Sequence, residues 1–156
     1  MAFYQLKRVQ LIQSDIDTLW NFISNPANLK HITPEYMGFD IESEDLPEVM
    51  YQGMIIKYNV SPVLRINTTW VTEISHVVHK KYFVDEQRVG PYKMWHHQHL
   101  LEPNDTGVKM TDIVSYQPPL GPIGAVANLL LIKSKLNAIF DYRTRALDAI
   151  FNSSND

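Results

Sequence analysis

Apolar and polar residues alternate through the middle of this chain, and then the alternation stops. Gly38–Ser43, Gly53–Val60, Leu64–Ile74, Lys81–Val89, Lys93–Leu101 and Val108–Tyr116 read as strands, and Phe3–Ile12 as an earlier one. Turn signals separate them at Pro47, Ser61-Pro62, Gly90-Pro91, Pro103-Asn104-Asp105 and Gly107. After the first strand, Ser14 with Asp17 three residues on forms a capping-box-like start. Ile16, Leu19, Trp20 and Ile23 follow at helical spacing, and Asn25-Pro26 opens a short second helix to Ile32, stopped by Thr33-Pro34. Beyond the loop Pro118–Gly124 no proline or glycine occurs. The spacing predicts one helix from Ile123 to Phe151, about 40 Å long. Val126, Leu130, Leu136, Phe140, Leu147 and Ile150 supply its apolar positions, and Lys133, Lys135, Arg143 and Arg145 mark a solvated side. Asp141 and Arg145 are spaced for a surface pair.

Strands joined in sequence by short turns imply an antiparallel meander. Such a sheet needs a cover on one face, and the terminal helix is the natural one. The expected class is α+β. It is a curved antiparallel seven-stranded sheet wrapped around a long C-terminal helix, with two short helices after the first strand. Residues 1–152 make a single domain, and residues 153–156 are a polar tail.

Composition narrows the function. The chain has 156 residues, 45% hydrophobic and 20% charged, as in an ordinary globular domain. A net charge of −3 gives no electrostatic basis for binding nucleic acid. There are no cysteines, which excludes disulfides, thiolate metal sites and cysteine nucleophiles. Met1–Gln5 shows no charged region followed by an apolar run, so no secretory signal is expected. The longest apolar run, Ala125–Ile132 broken by Asn128, is short of a membrane span, so none is expected. The expected location is cytoplasmic.

The candidate chemistry lies in Tyr92-Lys93-Met94-Trp95-His96-His97-Gln98-His99, which holds three of the six histidines. On a strand, alternate side chains share a face. Trp95, His97, His99 and Leu101 therefore point one way, and Met94, His96 and Gln98 the other. If Pro103–Thr106 forms the turn, Glu102 pairs with Gly107, His99 lies opposite Met110, and His97 opposite Asp112. Met110, Asp112, Val114 and Tyr116 then join the inner face, with Lys109, Thr111 and Ser115 on a wetter one. A similar register sets Asp85 opposite His97 on the other side. A carboxylate orienting an imidazole can anchor a ligand, serve as a general base, or simply hold two strands together. Arg65, Asn59, Trp70 and Tyr116 are further candidates to line a cavity. His97-x-His99 with Asp112 or Asp85 has the spacing of a zinc-binding strand, but the expectation is no metal and no cofactor. No nucleophile elbow, P-loop, dinucleotide glycine motif or zincin motif occurs.

Several stretches, in order, resemble the helix-grip superfamily of START domains and birch-pollen-allergen-like proteins, and within it the polyketide cyclase/dehydrase-like bacterial branch. They are Asn28–Pro34, Phe83–Gln87, Gly90-Pro91-Tyr92-x-x-Trp95-x-His97-x-His99, Met110-Thr111-Asp112-x-Val114-x-Tyr116, Pro119–Pro122 and Phe140–Arg143. The resemblance implies a seven-stranded sheet around a cavity gripped by the C-terminal helix. The leading expectation is a noncatalytic protein that binds a small hydrophobic or aromatic molecule between sheet and helix. Trp95, His97, His99, Asp112, Tyr116, Asp85, Trp70 and Arg65 would contact it. The alternative is a cyclase or dehydratase of polyketide-like substrates, with His97 or His99 moving protons and Asp112 orienting them.

Overall fold

A computed structural model describes residues 3–61 and 67–152. The expected strand residues Leu64–Ile66, the candidate Arg65 and the tail 153–156 fall outside them. The strands are β1 (Tyr4–Ile12), β2 (Asp40–Ile41), β3 (Ile55–Val60), β4 (Thr68–Val78), β5 (Tyr82–Val89), β6 (Met94–Asn104) and β7 (Gly107–Gln117). They form one antiparallel sheet in the order β1-β7-β6-β5-β4-β3-β2. Helix α1 (Ile16–Ile23) and two short 3₁₀ turns, Pro26–Ile32 and Glu35–Met37, follow β1. Helix α2 (Gly121–Asn152) closes the chain, with wider π turns at Asn128–Ile132 and Asp148–Asn152.

The α1 start differs from expectation by one residue. Asp15, not Ser14, is the cap, and its carboxylate accepts from Thr18 N at 2.8 Å. The carboxylate thereby takes up one of the orphan N–H groups of the first turn. Leu19, Trp20 and Ile23 turn inward from this helix and are buried.

The β6–β7 register also differs. Asn104 pairs with Gly107, so the hairpin tip is only Asp105-Thr106, and Pro103 remains in the strand opposite Val108. The Asn104 side chain accepts from Thr106 N at 2.9 Å and from Thr106 Oγ1 at 2.9 Å, which folds the tip tightly. His99 consequently faces Asp112, and His97 faces Val114. The slip is two residues, an even number, so every side chain keeps its expected face. Asp85 does lie opposite His97. Gly107 is required at this corner. A Cβ there would come within 2.1 Å of the Ile12 carbonyl oxygen.

The concave face is buried and aromatic, while the convex face carries the charge pairs of Arg88 with Glu73 and Glu86. Thr111 is an exception there, buried despite pointing outward. Helix α2 lies over the concave face through Leu136, Phe140 and Leu147. Polar bonds fasten this half to β1. Arg8 Nη2 donates to Asn137 Oδ1 at 2.5 Å, and Gln10 Nε2 donates to the Thr144 carbonyl and to Asp148 at 2.9 and 2.8 Å. Asp141 pairs with Arg8 at 3.4 Å, reaching across to the sheet. Val126, Leu130 and Ile150, expected as packing positions, are exposed, as are Leu120, Ile123 and Leu129. By length and composition alone α2 could cross a membrane, a test that core helices also pass.

Candidate functional site

The inner faces of β5, β6 and β7 bring four titratable side chains together. Alternation puts Asp85, His97, His99 and Asp112 on the concave side, and the register brings them to neighbouring positions. His97 Nε2 donates to Asp112 Oδ1 at 2.9 Å, and His99 Nε2 to Asp85 Oδ2 at 2.7 Å. The other ring nitrogens face the opposite carboxylates. His97 Nδ1 is 3.3 Å from Asp85 Oδ2, and His99 Nδ1 is 3.0 Å from Asp112 Oδ1. The result is a closed ring of two imidazoles and two carboxylate oxygens. The imidazoles lie with centroids 3.8 Å apart. Phe83 stacks on His99 at 4.0 Å, and Phe140 meets His97 edge-on at 5.5 Å.

Burial and charge pull these groups in opposite directions. Burial raises the Asp85 carboxyl, but the His97 charge and the bonds from His97 and His99 outweigh it and hold the group well below the carboxylate range. Asp112 behaves the same way through its bonds from His97 and His99. Burial lowers His97, and the two carboxylates more than reverse this, so its pKa is raised. Tyr58 and Tyr92 are pushed up by burial, Tyr58 further by the Asp85 charge.

Asp85, His97 and His99 of this cluster form part of the wall of a cavity of about 130 Å³ between sheet and helix. Tyr58, Trp70, Phe83, Tyr92, Trp95 and Phe140 supply its aromatic part, and aliphatic and methionine side chains such as Ile56, Ile74 and Met110 the rest. Trp70 Nε1 donates to Thr72 Oγ1 at 3.0 Å, and the Tyr58 hydroxyl bonds to the same oxygen, so the polar atoms of this wall are satisfied. Trp70 packs edge-on against Trp95 at 5.3 Å. An apolar space of this size is comparable to those of ~150 Å³ that admit a single benzene ring.

The other sequence candidates separate. Tyr116 is buried one step away, packed with Tyr4, Tyr92 and Trp95, and does not line this cavity. Asn59 points to the other side of β3 and donates to Glu42, because Tyr58 and Val60 take the inner face. His96 points outward to Glu86 at 2.7 Å, as alternation requires.

Arg143 was expected among the solvated basic residues of α2, and that reading is corrected. Its side chain is 11% exposed, lines the cavity, and lies with Cζ 5.1 Å from the Phe140 ring centroid. The signal is the stripe Leu136-Phe140-Arg143-Leu147, spaced four, three and four. Arg143 occupies a core position of that stripe.

Asp85, His97 and His99 each offer one ligand atom within 4.8 Å of the others, a spacing that could hold a metal ion. Every one of those atoms already faces a carboxylate or an imidazole. An ion would have to displace the proton in between.

No protein-family model and no curated protein sequence matches the chain. Solved structures do. Protein Ms6760 from Mycobacterium smegmatis superposes with a TM-score of 0.68 at 14% identity, over 97% of this chain and 92% of that one. Ara h 8.0201 gives 0.64 at 13% identity, over 95% and 99%. Major latex-like protein 151 from Panax ginseng gives 0.66 at 13% identity, over 96% and 97%. The chain has the helix-grip fold. In helix-grip terms, β5–β7 are the palm that carries the His–Asp cluster, and α2 is the gripped helix that brings Phe140 and Arg143 against it.

Proposed function

We propose that this chain binds a small molecule with an aromatic or apolar body in the cavity between sheet and helix, without turning it over. One observation carries the reading. A space lined mostly by aromatic and aliphatic side chains carries a few polar groups, chiefly Asp85, His97 and His99 on the sheet and Arg143 on the helix, which is how a pocket combines apolar affinity with orientation. The cyclase alternative needs an imidazole nitrogen free to take a substrate proton. All four ring nitrogens of His97 and His99 face carboxylate oxygens within 3.3 Å, and this supports a binding role instead.

The test is a thermal-shift screen of fatty acids, sterols, aromatic polyketides and single-ring aromatics, followed by native mass spectrometry. A ligand that binds only the folded state raises the melting temperature by mass action. At least one single-ring compound is expected to do so and to appear as a stoichiometric adduct. No shift and no adduct across the panel would remove the reading. Turnover of an aromatic polyketide would favour the cyclase.

A further inference from the structure

Resting on that binding reading, we infer that the ligand is a small aromatic or apolar carboxylic acid, bound as its anion, with Arg143 receiving the carboxylate. The inference starts from hydrogen bonds left unmade. Arg143 Nε and Nη1 are buried and have no hydrogen-bond partner among the described residues. Guanidinium N–H groups buried without acceptors are uncommon, because desolvating them is costly. The nearest carboxylate does not serve. Asp112 Oδ1 lies 3.6 Å from Nη1, beyond hydrogen-bond range. That same oxygen already accepts from His97 Nε2 at 2.9 Å and lies 3.0 Å from His99 Nδ1.

Arg143 also places a cation at the wall of an apolar space. Lys135 adds a second at the exposed rim, its Nζ 5.8 Å from the Tyr36 ring centroid. Asp85 is the acidic residue on the cavity lining, and His97 and His99 already engage it. An incoming carboxylate supplies the acceptor that Arg143 Nε and Nη1 lack. The cavity volume sets the rest of the ligand at about one ring.

The experiment compares acids with their neutral amides. Benzoate and 3-phenylpropanoate are titrated calorimetrically into the full chain beside benzamide and 3-phenylpropanamide, which match them in shape. The acids are expected to bind at least about ten-fold more tightly. Arg143→Gln should bring acid and amide within about two-fold of each other, and Arg143→Lys should keep part of the gap. Amides that bind as tightly as acids would overturn the carboxylate inference and leave the binding reading standing. A gap that survives Arg143→Gln would overturn the role of Arg143. Failure of all four compounds would overturn the inference and the single-ring reading together. Should Arg143→Gln not fold, the Arg143 Nε–H resonance of the unsubstituted protein decides. It is expected to shift on adding benzoate and not benzamide, and no shift with benzoate would overturn the inference.

Discussion

His97 and Asp112 are bonded at 2.9 Å without being opposite one another in the sheet. His97 sits across from Val114, and Asp112 from His99, so the bond runs on the diagonal. The same diagonal offset lets His99 reach Asp85, which lies across from His97. Each imidazole thus spans both neighbouring strands. The cluster therefore ties β5, β6 and β7 together.

That arrangement predicts strong coupling. Asp112→Asn should cost about 3–5 kcal/mol, since it leaves buried positive charge without its partner. His97→Gln should cost a similar amount alone, and much less once Asp112→Asn is present. Denaturant unfolding of both singles and the double measures this. Strict additivity would show that the bond contributes little.

The outward histidine provides the contrast. His96 pairs with Glu86 at 2.7 Å, with side chains 30% and 25% exposed. His96→Ala is expected to cost under about 1 kcal/mol, in line with ion pairs that solvent reaches. The same unfolding curves check it.

The pH dependence follows from the direction of the shifts. His97 is raised in the folded state by Asp85 on β5 and Asp112 on β7, with His99 and Arg143 also facing the cluster. Its contribution is complete below the unfolded value of about 6.5 and is lost as pH rises through the higher folded value. Asp85 and Asp112 are lowered, so theirs is present above about 3.9 and is lost as pH falls towards their folded values. Stability should therefore be greatest between about pH 4 and 6.5 and decline above that. Urea midpoints from pH 4 to 9 test this. In His97→Gln the alkaline decline should be reduced.

Metal should compete with protons at this cluster. Protein purified without a histidine tag is expected to hold no stoichiometric zinc by elemental analysis, because occupying Asp85, His97 and His99 means breaking the ring. One equivalent of zinc, lost in His97→Ala, would contradict this.

The sequence made the inner face legible because strand alternation does not depend on the exact register. Trp95, His97, His99, Asp112 and Tyr116 all lie on the side that period two assigns them. The register itself was not legible. Proline at 103 suggested a turn, whereas the Asn104 side chain folds a tighter tip that leaves Pro103 in the strand. Arg143 was missed for a different reason. A basic residue on a helix reads as solvated, and only its place in the 136-140-143-147 stripe marks it as inward. Asn59 failed by the same rule that worked for the histidines, since its neighbours Tyr58 and Val60 own the inner face.

Helix α2 is a cantilever. Its far half is pinned to β1 by Arg8, Gln10 and the Asn152 amide, which reaches the Leu11 carbonyl at 3.2 Å. Its near half carries Ile123, Val126, Leu129 and Leu130 outward into solvent. Phe140 and Arg143 stand on the pinned stretch, so the wall they give the cavity is its stiff one. Give in this structure should concentrate at the other end, near Leu120. Amide hydrogens from Gly121 to Ile132 are expected to exchange well before those from Lys133 to Leu147, and the two halves of one continuous helix would then report separate opening free energies.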